Sequence, residues 1–167
     1  MLTLVGFMAA GKSTIGRLLA ERLDIRFVDT DRALETAFGL SVGEIFDQLG
    51  EPAFRAAERE LILRLLGGEP QVLSLGGGAY ADATVRQAVN ARAIAIWIDP
   101  PFDAIVERIG RSRARPLACG RSAEQLKLLW DERRTSYAAA HIHVPTSDAA
   151  PARFVDAIIA QLDQLET

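Results

Sequence analysis

A single cysteine, Cys119, occurs in the 167 residues. No intramolecular disulfide can form, and a reducing cytoplasm suits such a chain. Lysine is almost absent: Lys12 and Lys127 stand against seventeen arginines. That bias empties most arginines of meaning, yet it makes a retained lysine informative. Asparagine occurs once, as Asn90 followed by Ala91-Arg92, so the guanine-reading Asn-Lys-x-Asp of a GTPase is missing. No apolar run approaches the roughly 20 residues of a membrane span. With a net charge of −3, there is no basic surplus of the kind that wraps nucleic acid. The apolar start lacks a basic leader and a cleavable stretch, and reads as a first strand rather than a targeting segment. Two histidines, His141 and His143, alternate on a strand without cysteine or acidic partners at metal-site spacing, so a structural role is expected.

What is present begins at once. Gly6-Phe7-Met8-Ala9-Ala10-Gly11-Lys12-Ser13-Thr14 fits G-x-x-x-x-G-K-[ST], a loop whose backbone N–H groups cradle nucleotide phosphates. Context decides such a short match. Leu2 to Val5 is strand-like, and Ile15, Leu18, Leu19 and Leu23 recur at helical spacing. Strand, glycine-rich turn and helix is the arrangement the motif requires, with the helix N-terminus adding its positive dipole end. The backbone from Gly6 through Ala9, Ala10 and Gly11, with Lys12, Ser13 and Thr14, is therefore expected to hold the nucleotide.

Strands and helices alternate along the rest. Strands are expected at Ile25 to Val28, Val72 to Leu75, Ala93 to Ile98 and His141 to Val144. Ser41-Val42-Gly43-Glu44 is a capping box opening a helix, and Glu51 to Leu66 is a longer helix. Asp82 caps another, Pro101 suits a first helical turn, Ser122 starts a helix, and Phe154 to Leu165 closes the chain amphipathically. Gly110 to Arg121 reads as a loop rich in Arg, Gly and Pro. The expected fold is α/β: one domain over 1–167, a three-layer sandwich with a five-stranded parallel sheet.

The acidic pair Asp29-Thr30-Asp31 ends the second strand, where ligands bind in open α/β sheets. One carboxylate can hold Mg²⁺ with Ser13, while the other orients an attacking hydroxyl. The plainer reading makes Asp31 a helix N-cap before Arg32-Ala33-Leu34. Asp99 also ends a strand, but Pro100-Pro101 follow at once, so it reads as a turn residue.

In this order, the phosphate loop, Asp29-Thr30-Asp31, Phe54-Arg55-Ala56-Ala57-Glu58, Leu75-Gly76-Gly77-Gly78, Arg115-Pro116-Leu117 and Arg133-Arg134-Thr135-Ser136-Tyr137 resemble the shikimate kinases over nearly the whole chain. The resemblance implies a P-loop kinase of the nucleoside-monophosphate-kinase fold, using ATP and Mg²⁺ to phosphorylate the 3-hydroxyl of shikimate in aromatic amino-acid synthesis. It implies Asp31, Arg55, Gly77, Gly78 and Arg133 at the substrate, on helices within about 31–60 and beyond. Lys12, Asp31 and Arg115 would be catalytic, with Arg115 on a lid at about 110–121 and Arg108 against the adenine. The partners would be shikimate and ATP, with no nucleic acid or membrane, and the chain a monomer. Bidentate guanidinium forks suit a carboxylate, and Arg55 and Arg133 can supply two from different helices. Arg59, Arg64 and Arg134 are expected on solvated faces. The family usually has glycine where Ala9 stands, and a Cβ there costs about 1–2 kcal/mol if the loop needs a left-handed residue. Two alternatives share the scaffold: a gluconate-type kinase, and a nucleotide-binding protein that has lost catalysis.

Overall fold

In the computed structural model residues 1–111 and 121–165 are described. Arg113, Arg115, Ala118 and Cys119 lie outside them. Five parallel strands, β1 (Leu2–Val5), β2 (Arg26–Asp29), β3 (Gln71–Ser74), β4 (Ile94–Asp99) and β5 (Ile142–Pro145), form one sheet in the order β2-β3-β1-β4-β5. The helices between them are α1 (Lys12–Arg22), α2 (Thr30–Phe38), α3 (Val42–Leu49), α4 (Glu51–Leu65), α5 (Ala83–Arg92), α6 (Phe102–Arg111), α7 (Ala123–Tyr137) and α8 (Pro151–Leu165), with a short 3₁₀ turn at Ala79–Ala81.

Period-two alternation sorts the strand side chains onto two cores, as a sheet covered on both faces demands. Leu2, Leu4, Val72, Ile96, Ile98, Ile142 and Val144 meet Ile15 and Leu19 of α1 and Val155 and Ile158 of α8. Val5, Leu73, Ala95 and Trp97 meet Ile62 of α4, Val85 and Val89 of α5, Ile105 of α6 and Tyr137 of α7. Leu34, Ile45 and Phe54 make a third, smaller cluster that knits α2, α3 and α4 into a lobe beside the sheet. The three-layer α/β expectation holds.

Boundaries moved by a few residues. The capping box at Ser41 and the Asp82 cap form as expected, and Ser122, expected only to start a helix, forms a second capping box with Gln125. β2 begins at Arg26, α6 continues through Gly110 and Arg111, and α8 starts already at Pro151. Pro is tolerated in a first helical turn because its missing N–H is unneeded there.

Candidate active site

The phosphate loop leaves β1 and turns into α1 through Gly11, which takes φ +96° as N-cap; no side chain caps that helix. The N–H groups of its first turn thus keep their capacity for an anion. Ala9 has φ +62°, so the loop does require a left-handed residue there, and this chain carries the Cβ cost. Arg108 of α6 donates to the carbonyls of Ala9 (3.2 Å) and Ala10 (3.4 Å). Those contacts fix the carbonyl side of the two peptides. Lys12 Nζ lies 2.9 Å from the carbonyls of Gly6 and Phe7, held back over its own loop.

Asp29, Thr30 and Asp31 divide three tasks. Asp29 Oδ2 accepts from Ser13 Oγ at 2.5 Å, and its Oδ1 accepts from the Arg32 N–H, so Asp29 is the N-cap of α2. This removes the plainer alternative for Asp31: the β-region residue that precedes the helix is Asp29, and Asp31 lies inside the first turn. Thr30, fully buried, donates to the Ser74 carbonyl and accepts from the Gly76 N–H, tying α2 to the glycine run. Asp31 then faces the cleft. Burial pushes its carboxyl above the usual aspartate value and Asp29 adds to this, while Lys12 and Arg55 pull it partly back.

Arg55 Nη1 donates to Glu58 Oε2 at 2.6 Å, and its other side reaches Glu51 at 3.3 Å. Glu58 is only 2% exposed, and its second oxygen has no hydrogen-bond partner among the described residues. Burial raises its carboxyl above the ordinary range, with Arg55 opposing. Sequence reading quoted Glu58 but gave it no role. The available signal was its place four residues after Phe54 on the buried stripe of α4, where an unpaired carboxylate does not belong.

Consecutive glycines were expected to let a ligand approach the backbone. In the fold they first make room for side chains. A Cβ on Gly76 would strike Glu58 and Asp31, and one on Gly78 would meet the Arg55 guanidinium at 2.7 Å. Gly77 packs against the Met8 backbone, and its carbonyl accepts from Arg133 Nη1 (3.1 Å) and from the Tyr137 hydroxyl. Arg133 also lies over the Phe7 ring. Burial, together with repulsion from Arg55, holds its guanidinium below the usual arginine value.

One cleft of about 710 Å³ joins these parts. The phosphate loop from Met8 through Thr14 and Arg108 line one part, while Asp31, Arg55, Gly77, Gly78 and Arg133 line another. Thr146 and Ser147, after β5, also line the cleft. Every candidate residue among those described except Gly6 therefore borders the same space. Of the arginines expected on solvated faces, Arg59 is exposed as expected and pairs there with Asp82, whereas Arg134 is half-buried and pairs with Asp99. His143 does have an acidic partner, since its Nε2 lies 2.9 Å from Asp99 Oδ2, whereas His141 Nδ1 accepts from the Ala95 N–H.

A family model described as shikimate kinase matches residues 8–163. A shikimate kinase from Zymomonas mobilis is 44% identical over 162 residues, covering 96% of this chain and 92% of the relative. The solved shikimate kinase of Acinetobacter baumannii, in complex with shikimate, superposes with a TM-score of 0.94 at 32% identity, covering 98% of this chain and 92% of that one. A gluconokinase from Sinorhizobium meliloti reaches a TM-score of only 0.55 at 14% identity, covering 98% and 91%, which is likeness of fold alone. A match across nearly the full length, in sequence and in structure alike, means that this chain belongs to the shikimate kinase family.

Proposed function

We propose that this chain transfers the γ-phosphoryl group of ATP to the 3-hydroxyl of shikimate. One observation carries the reading: a single cleft has a phosphate cradle at one side and two converging guanidinium groups at the other, with a carboxylate of raised proton affinity nearby.

Arg55 and Arg133 repel each other across the cleft, and a substrate carboxylate would relieve that repulsion through charge-assisted bonds. Gly77 and Gly78 keep the wall between them open. Asp31 would accept the proton of the attacking hydroxyl, and its elevated proton affinity suits that role. Lys12 and the loop backbone would hold the β- and γ-phosphates, with Arg108 beside the adenine. Ser13 and Asp29 offer two hard oxygens 2.5 Å apart, a donor pair suited to Mg²⁺ that keeps several waters and binds phosphate oxygens. When bound there, the ion supplies charge neutralisation on those oxygens. Arg115, on the lid, would meet the charge that spreads over the transferring group. Residues 1–167 would act as one kinase domain, a monomer in the cytoplasm, serving aromatic amino-acid synthesis. The gluconate-type alternative has only a shared fold behind it, and the presence of Lys12, Ser13, Asp29 and Asp31 around one cleft speaks against lost catalysis.

The test is ADP release with Mg-ATP over shikimate, gluconate, quinate and nucleoside monophosphates. Strong release is expected with shikimate and little with the rest. Equal or greater turnover of gluconate overturns the assignment.

A further inference from the structure

Arg133 and Arg134 are neighbours on α7, but successive residues on a helix point about 100° apart. Arg133 reaches toward β3 and the Gly77 carbonyl. Arg134 reaches instead to the end of β4, where its Nη1 donates to Asp99 Oδ1. Its guanidinium also lies over two indole rings, 4.7 Å from the Trp97 centroid and 4.4 Å from that of Trp130. Trp130 packs on Phe102 of α6, the helix that carries Arg108. Asp99, on the strand next to β1, is completed by His143 at its other oxygen. One side chain thus touches the end of β4 and lies over aromatic rings from β4 and α7.

We propose that Arg134 is a positioning residue for the reaction: its grip on Asp99 and Trp97 of β4 fixes the rotation of α7 about its own axis and so aims Arg133 at the substrate carboxylate, while Trp130, on α7 itself, backs the guanidinium. The geometry explains why one anchor is not enough. The Gly77 carbonyl holds α7 on one side of its circumference, through Arg133 and Tyr137. Arg134 holds it on another. At about 6 Å from the helix axis, where side chains end, a rotation of about 20° displaces an atom by about 2 Å. A displacement of 1 Å can already cost a reaction a hundredfold. A planar guanidinium suits this task because it pairs at its edge and stacks on its face, which an ammonium does not do.

The inference rests on the assignment of Arg133 to shikimate, and the test separates the two. Arg134→Ala should raise the shikimate KM about tenfold while the ATP KM changes less than about twofold. Arg134→Lys keeps the charge without the plane and should fall between. The only two tryptophans both lie against Arg134, so shikimate should change the emission of the parent protein, and that change should shrink in both variants. Arg59→Ala, which also removes an Arg–Asp pair, should leave shikimate KM and the emission response unchanged. If Arg134→Ala does not fold, the same selective increase must appear in Arg134→Lys. Unaltered shikimate KM in the folded variants overturns the proposal. So does an equal rise of both KM values with a lowered Tm, which marks a merely structural residue. Failure of the substrate assignment shows differently: the parent protein itself would not phosphorylate shikimate.

Discussion

The two sides of the cleft are built by opposite methods. The side proposed for the nucleotide is one continuous stretch, the six residues between β1 and α1 and the first turn of that helix, and its chemistry is mostly backbone. The substrate side is assembled from α2, α4, the turn after β3 and α7, and its chemistry is buried or half-buried charge: Asp31, Arg55, Glu58 and Arg133. A backbone cradle tolerates many side chains so long as its dihedral angles are met. A charge cluster does not, because removing one member leaves another desolvated without compensation. The nucleotide side should therefore degrade gradually on substitution and the substrate side abruptly.

The largest effect should come from neither side. Arg115→Ala should lower kcat about 10³-fold or more, by analogy with arginine fingers that act on transition-state charge. Separate calorimetric titrations of ATP and shikimate should show far smaller changes, and Arg115→Lys should keep partial activity because it loses the planar fork. Arg113→Ala, on the same segment, should matter little. Near-normal kcat in Arg115→Ala, or a greater loss in Arg113→Ala, would assign the transition-state cation to the cleft walls instead.

Next in size is the substrate clamp. Arg55→Ala or Arg133→Ala should cost about 1.5–3 kcal/mol of shikimate binding, some tenfold to a hundredfold in Kd. ATP affinity should hardly move. Equal weakening of both ligands would erase the distinction between the two sides.

How much of this was legible follows the same division. Local structure writes itself into local sequence, so the phosphate loop, the capping box at Ser41 and the alternating elements could be read from spacing alone. Asp29 and Asp31 were both visible, but not their division of labour. Which of two aspartates caps a helix depends on where the backbone first turns helical, and β2 runs one residue further than its apolar content suggests. Thr30 was hidden between them, since its partners lie more than forty residues away. The Arg134–Asp99 pair, 35 residues apart, has no sequence signal at all. Only the packing of α7 on β4 creates it.

Glu58 offers a third, intermediate effect. Glu58→Gln keeps the size and one acceptor but removes the charge facing Arg55, so shikimate KM should rise several-fold, less than in Arg55→Ala. Stability should respond the other way with pH. The Glu58 carboxyl is raised by burial, so its favourable contribution is complete below about pH 4.3, the ordinary glutamate value. That contribution is lost as pH rises through the elevated folded value. The glutamine variant lacks this loss, and its Tm relative to the parent should improve as pH rises across that interval. A Tm difference that stays flat with pH would mean that the glutamate is fully compensated in the fold.

The smallest predicted effect tests the backbone side by exchanging two residues of the loop. Ala9 is held at φ +62°, a left-handed conformation that costs an L-residue with a Cβ about 1–2 kcal/mol. Ala9→Gly relieves that strain but loosens the unfolded chain, which offsets about 0.4–1 kcal/mol. A net gain of about 0.5–1 kcal/mol remains, or a rise in Tm of about 1–4 °C for a domain of this size. ATP affinity should stay within about twofold, because the cradle's N–H groups are unchanged. Gly11 is the mirror case. It sits at φ +96°, outside even the small left-handed region open to other residues. An added Cβ would have room, its nearest neighbour being Arg108 Nη1 at 3.8 Å. The whole cost of Gly11→Ala is therefore backbone strain, and Tm should fall by several degrees. Differential scanning calorimetry of the two single variants decides the matter. If Ala9→Gly lowers Tm while ATP binding is retained, the alanine methyl, buried in the loop, contributes more by packing than it costs in conformation.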